Sequence, residues 1–255
     1  MHAKPDLRVF LEWMIYRSGS VITAVMPLNN QQSCDMFDFD GQHNADALMD
    51  ELHRFVQFWV DPVLPADSLD TTFDSDLPRP LNALLSIHAA YHQQIFASQN
   101  TLLAFDQITT TGDRACFIDI NQSGSVVCTL INDDDDDPPV YFIDNNEHFK
   151  CADSLSEYLV SFALAELMYW AATQENESGE CWDLNFPEIG RKHGHTVNTI
   201  WTQRPYIWPN NLATFHLVDN NVLTVEQSNG TSMSSSVSLN AELRASALQD
   251  FPAWD

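Results

Sequence analysis

The sequence predicts an α+β protein, and three patterns indicate this fold class. Between Ala115 and Ile143, apolar β-prone runs alternate with clusters of turn residues. Leu212 to Val218 and Val222 to Val225 are separated only by Asp219-Asn220-Asn221, which predicts a hairpin. Other segments carry apolar residues at helical spacing, so the chain is expected to contain helices as well as strands.

The N-terminal part is predicted to contain a helix from Leu7 to Tyr16, a strand from Val21 to Met26 and a helix from Ala45 to Val60. Apolar residues recur every 3.6 residues in the second helix, so we expect Phe55 and Trp59 to be buried. Prolines are frequent from residue 62 to residue 80, as in linkers. We therefore predict a helix-containing segment over residues 1–76 and an α+β domain over residues 77–255, or one continuous domain.

The central unit is predicted to contain strands at Ala115 to Ile120, Ser125 to Ile131 and Val140 to Ile143, and then a helix from Leu155 to about Thr173. An acidic turn, Asp133 to Asp137, precedes two prolines that cannot donate to a sheet ladder. Ser154-Leu155-Ser156-Glu157 fits a capping box, so Asp153 or Ser154 is expected to cap the helix.

The order of these residues resembles the SUKH superfamily, which includes many bacterial immunity proteins and yeast cell-wall regulators of the same fold. The similarity is closest at Phe117 to Gln122, Asp137 to Tyr141 and Leu155 to Leu159. Val126-Val127-Cys128 stand where the family commonly has a tryptophan. The resemblance implies a SUKH-like α+β fold, with a mostly antiparallel mixed sheet and helices packed on one face.

Charge indicates the kind of partner. The chain has 255 residues, 36 of them acidic and 11 basic, and a formal net charge of −25. Residues 115–190 include 16 acidic residues and one basic residue, Lys150. Because such a surface repels phosphates, we expect a basic protein as the partner, and neither nucleic acid nor membrane. General solubility is the other explanation of the total charge.

The cysteines predict no metal ribbon or thioredoxin-type site, because Cys34, Cys116, Cys128, Cys151 and Cys181 form no CxxC pair. The N-terminus does not read as a signal peptide, and no run approaches the ~18 apolar residues that span a membrane. We therefore expect a cytoplasmic protein with reduced thiols.

Two histidine pairs have the spacing of metal ligands: His88 and His92 on a helix predicted from Leu81, and His193 and His195. The zincin pattern would need a glutamate at position 89, where the chain has Ala89. We therefore expect packing and surface roles for these histidines, and no cofactor. The P-loop, G-x-G-x-x-G and G-x-S-x-G motifs do not occur, so no catalytic residue is predicted.

These patterns, with the resemblance, predict a non-catalytic immunity protein that binds a basic toxin domain such as a nuclease. The recognition surface is expected at the acidic turn, with Tyr141 and Trp182 as aromatic anchors. Its aspartates are Asp133, Asp134, Asp135, Asp136 and Asp137. An intracellular adaptor on the same fold and a metal-dependent hydrolase that uses His88 and His92 are the alternatives.

Overall fold

The computed structural model describes residues 37–42, 44–60, 76–91, 95–121, 124–131, 135–145, 147–175, 191, 194–206, 208–220, 222–227 and 233–237. The helix and strand predicted within residues 7–26 lie outside these ranges. In the described part, the chain has an α+β fold with three α-helices and antiparallel sheets.

The helices are α1 (Ala45–Trp59), α2 (Arg79–Ala90) and α3 (Leu155–Glu175). Helix α1 begins where the side chain of Asn44 accepts a hydrogen bond of 2.9 Å from the backbone N–H of Ala47. Helix α2 has a proline in its first turn, where the missing N–H removes no helical hydrogen bond.

Helix α3 is the centre of the fold. From residue 155 to residue 171, every side chain is buried except Glu157 and Tyr169, which are partly buried. The helix contacts α1, α2 and strands of both sheets. A helix that is apolar on all sides is stable only in such a position.

The first sheet has six strands in the order β1-β3-β4-β5-β6, and β2 also pairs with β3. The strands are β1 (Thr101–Leu102), β2 (Thr109–Thr111), β3 (Arg114–Asp119), β4 (Val126–Leu130), β5 (Val140–Asp144) and β6 (Glu147–Ala152). A short 3-10 helix, Phe105–Gln107, lies between β1 and β2.

The second sheet has four strands in the order β10-β9-β8-β7. They are β7 (Val197–Tyr206), β8 (Trp208–Val218), β9 (Val222–Gln227) and β10 (Met233–Val237). The predicted turn at Asp219-Asn220-Asn221 is confirmed, because Val218 and Val222 pair directly. Asp219 and Asn220 both have positive φ, which aspartate and asparagine tolerate better than most residues.

The predicted α+β class is confirmed, but the expected single mixed sheet is corrected in one respect. The described strands form two sheets, and all of their pairs are antiparallel. Among the described strands, β7 to β10 follow α3 in the sequence and pair only with one another. Helix α3 contacts this second sheet as well as the first.

The described part of the N-terminal segment shares one core with the rest of the chain. Phe55 and Trp59 are fully buried, as predicted, and belong to the same cluster as the buried residues of α3 and β7. The backbone N–H of Phe39 donates to the carbonyl oxygen of Ile200 at 3.1 Å. The guanidinium of Arg204 lies 3.4 Å from the Asp40 carboxylate and so joins this segment to β7.

Among the described helices, none has the length and hydropathy that a membrane-spanning segment requires.

Candidate functional site

The acidic turn connects β4 to β5. Asp135 and Asp136 are exposed, and Asp137 is partly buried. Asp133, Asp134 and the other predicted anchor, Trp182, lie outside the described residues. Asp135, Asp136 and Asp137 lie in the loop that joins β4 to β5, two inner strands of the first sheet.

Asp137 attaches this turn to the N-terminus of α3. One carboxylate oxygen accepts hydrogen bonds of 2.7 Å from the hydroxyls of Ser154 and Ser156, and the other accepts a 2.7 Å bond from the backbone N–H of Ser156. A carboxylate at this end of a helix also interacts favourably with the helix dipole. Asp137 therefore stabilises the fold by joining the turn to α3, besides contributing to the acidic run.

The cap of α3 agrees in part with the predicted capping box. The backbone N–H of Glu157 donates to the Ser154 hydroxyl at 3.2 Å, so Ser154 is the cap residue. The Glu157 carboxylate lies 3.5 Å from Arg204 Nη1, so it joins α3 to β7.

Further hydrogen bonds fix the shape of the turn. The Asp135 carboxylate accepts a 3.0 Å bond from the backbone N–H of Asp137. The hydroxyl of Thr129 donates to the carbonyl oxygen of Pro139 at 3.1 Å. Asp135 and Asp136 are therefore exposed to solvent on a segment whose C-terminal end is bonded to β4 and to the N-terminus of α3.

Tyr141 is partly exposed on the face of the first sheet that points away from the core. The guanidinium carbon of Arg114 lies 4.7 Å from the centre of its ring, which is a cation–π arrangement. The same guanidinium contacts the imidazole of His148. The side chain of Arg114 therefore extends across this face from β3 to β6, over the ring of Tyr141.

Cys116 and Cys128 lie directly opposite each other on β3 and β4 and form a disulfide. The expectation of reduced thiols is wrong for this pair. Sequence spacing could not reveal the bond, because the strand register, rather than a separation of 12 residues, brings the two sulfurs together. Cys151 is a free, buried cysteine.

The predicted histidine pairs are only partly visible, since His92 and His193 lie outside the described residues. His88 is partly buried and stacks on Phe96 with ring centres 5.7 Å apart, and burial lowers its pKa. His195 Nδ1 lies 2.5 Å from the Asp219 carboxylate, which also accepts a 2.8 Å bond from Thr196 N–H. The described ranges contain no group of three or more histidine, cysteine or acidic side chains able to hold a metal ion.

Glu166 is a buried acid that no sequence pattern predicted as a site residue. Its carboxylate accepts hydrogen bonds of 2.7, 2.8 and 2.9 Å from the consecutive backbone N–H groups of Ser98, Gln99 and Asn100. The side-chain amide of Asn100 donates a further bond of 3.3 Å. Burial raises the pKa of Glu166 to about 7, although these donors act in the opposite direction. Glu166 therefore fixes the loop before β1 to the central helix.

The described part of the chain is an α+β protein with two antiparallel sheets, and Asp137 bonds the acidic turn between β4 and β5 to α3. Comparison of the chain with protein-family models, with curated proteins and with solved structures finds no match.

Proposed function

We propose that this chain is a non-catalytic immunity protein that binds and blocks a basic bacterial toxin domain, such as a nuclease. The observation that carries the proposal is the acidic turn, in which Asp135 and Asp136 are exposed while Asp137 holds the turn to α3. A turn held in this way loses less conformational entropy on binding than a free acidic tail would.

The net charge supports the same kind of partner. A chain with a formal charge of −25 attracts a cationic protein over a long range and repels polyanions. Electrostatic attraction of this kind acts mainly on the association rate and on the choice between partners. A basic toxin domain meets both conditions.

The immunity role rests on the resemblance of the central unit to the SUKH superfamily. The motifs of that resemblance include the acidic turn and the cap of α3, so the proposed family and the proposed surface involve the same residues. A SUKH-like fold is accordingly part of this proposal, as is the absence of catalysis.

The proposal places the protein in the cytoplasm, where an incoming nuclease would act. One observation opposes this compartment, because disulfides such as Cys116–Cys128 persist mainly in oxidising environments. The redox state of that pair in cells is therefore part of the test of localisation.

The probe for the experiment is the purified product of an adjacent reading frame that encodes a basic protein, inactivated if it is toxic, and its association with the chain is measured by stopped flow at increasing salt. We expect the rate to fall steeply, because exposed charges are screened beyond ~8 Å at physiological ionic strength. The double variant Asp135→Asn/Asp136→Asn should associate more slowly than the parent.

A matched control removes the same charge elsewhere, at two exposed aspartates of α1 and the 3-10 helix, by Asp50→Asn/Asp106→Asn. We expect the control to associate faster than the turn variant. A rate that does not change with salt, or equal slowing in both variants, would show that the acidity serves solubility.

A further inference from the structure

The outer face of the first sheet carries an apolar stripe where an antiparallel sheet ordinarily has polar residues. The face is defined by the residues of β4 and β5 whose side chains point away from the core. All five are apolar, and they are Val126, Cys128, Leu130, Tyr141 and Ile143. Antiparallel sheets with one solvated face usually alternate apolar inward residues with polar outward ones. The two central strands depart from this rule.

The register makes the stripe continuous. Val126 lies directly opposite Ile143, and Cys128 lies opposite Tyr141. Cys128 is buried beneath its neighbours, while the other four side chains remain partly exposed. These four do not belong to the core cluster or to the partly buried residues packed against it. Folding of the described core therefore does not account for their apolar character.

The cations beside the stripe are already engaged within the chain. Arg114 lies over Tyr141 and contacts His148, and Lys150 forms an ion pair with Asp153. An acidic partner would have to compete for these groups. The exposed Asp119 on β3 lies directly opposite Val126, and the exposed Asp135 and Asp136 lie on the loop that joins β4 to β5.

We propose that the outer apolar stripe is the centre of the docking surface for the basic protein, with the acidic turn as its charged rim. This inference rests on the proposed function and deepens it, because it locates the contact that holds the partner. Interfaces commonly have an apolar centre depleted of charge and a polar rim. The partner is accordingly a basic protein with an apolar patch flanked by lysine or arginine. A second copy of the chain is disfavoured, since two chains of charge −25 repel each other.

The test measures dissociation and association of the same purified basic product with the double variant Val126→Thr/Ile143→Thr. Threonine keeps the β-branched shape that suits a strand, and it introduces a hydroxyl into the stripe. We expect at least a tenfold loss of affinity, mainly through faster dissociation, with the salt dependence of association retained. The Asp135→Asn/Asp136→Asn variant should show the opposite effect on the two rates, with slower association and little change in dissociation.

The control is Phe149→Thr, which alters an apolar residue on the other face of the same sheet. Phe149 is 41% exposed and pairs with the core residue Phe142. The Phe149→Thr variant should bind the basic product with the same affinity as the parent. Thermal midpoints of all variants, and sedimentation of each without partner, accompany the binding data.

Each outcome decides between the two proposals. If the parent binds with a salt-dependent rate and the stripe variant binds equally well while folded, the inference is wrong and the proposed function stands. If the parent does not bind the basic product, both fail. A dimer of the parent that the stripe variant loses would assign the stripe to self-association and overturn the inference.

Discussion

At the N-terminus of α3, the carboxylate of Asp137 supplies acceptors for two serine hydroxyls and one backbone amide. Its neighbour Asp136 is exposed to solvent. Adjacent aspartates in one acidic run therefore differ in what they do. The charge of Asp136 is available to a partner, whereas that of Asp137 stabilises the fold.

Replacing Asp137 by asparagine should lower the free energy of unfolding by about 1–2 kcal/mol, because the charge-assisted bonds and the helix-dipole interaction are weakened. Asp136→Asn is the matched control and should stay within about 0.5 kcal/mol of the parent. Urea denaturation at neutral pH measures both. Equal stability of the two variants would contradict the role assigned to Asp137.

Glu166 predicts a dependence of stability on pH. Burial raises the pKa of this carboxyl group from its ordinary value of 4.5 to about 7 in the folded protein. The folded state therefore binds the proton more tightly than the unfolded state. The resulting stabilisation is complete below the unfolded pKa and is lost as the pH rises through the folded pKa. Over this interval we expect Glu166 to contribute a loss on the order of 3 kcal/mol.

The measurement compares the parent with Glu166→Gln in urea at several pH values from 4.5 to 7.5. The variant is expected to be less stable throughout, because an amide group faces backbone donors. Its stability should lack this slope, so its deficit relative to the parent should shrink as the pH rises. A deficit that stays constant over this range would rule out titration of Glu166.

At the scale of elements, the β3–β4 pair is the one that the disulfide constrains. Cys116 and Cys128 are both buried, and Cys128 lies between Cys116 on β3 and Tyr141 on β5. The bond closes a short loop, since the two residues are 12 apart in sequence. Such loops restrict the unfolded chain and so favour the folded state.

We expect the free energy of unfolding of the Cys116→Ser/Cys128→Ser variant to be about 3 kcal/mol lower than that of the oxidised parent. Chemical reduction of the disulfide in the parent should lower it by a similar amount. Alkylation of thiols in intact cells, followed by peptide mapping, measures whether the pair is oxidised there. If both cysteines are alkylated before any reductant is added, the bond is absent in that compartment, which agrees with the cytoplasmic proposal.

The elements also show which features sequence patterns can predict. Helix α1, with Phe55 and Trp59 buried, was predictable because its apolar period reflects burial. Strands β4 and β5 were predictable because they are short apolar, β-prone runs bounded by turn residues. Strand β6 was missed because residues 147–150 are all exposed, so no apolar alternation marks it. The partners of Glu166 lie 66 to 68 residues away, and only the tertiary fold brings them together.

At the scale of the whole molecule, one apolar core joins α1, α2, α3 and the inner faces of both sheets. The polar loops and the acidic turn lie around this core. The composition predicted a negatively charged surface. It did not predict that β4 and β5 have apolar side chains on the outer face of the sheet as well as on the inner face. That pattern becomes visible only when the strand register assigns each residue to a face.

The bond between Arg204 and Asp40 has a consequence for how the protein is made. The two residues are 164 positions apart, and Phe39 and Ile200 bond across a similar interval. A ribosome adding roughly 5–20 residues per second needs on the order of 8–30 s to reach β7 after Asp40 has been synthesised. Throughout that time α1 lacks its final neighbours, and its aromatic face is open to other chains. We expect closely spaced ribosomes on one message to bring such incomplete chains together and promote their aggregation, and faster elongation or a chaperone bound to α1 to protect them.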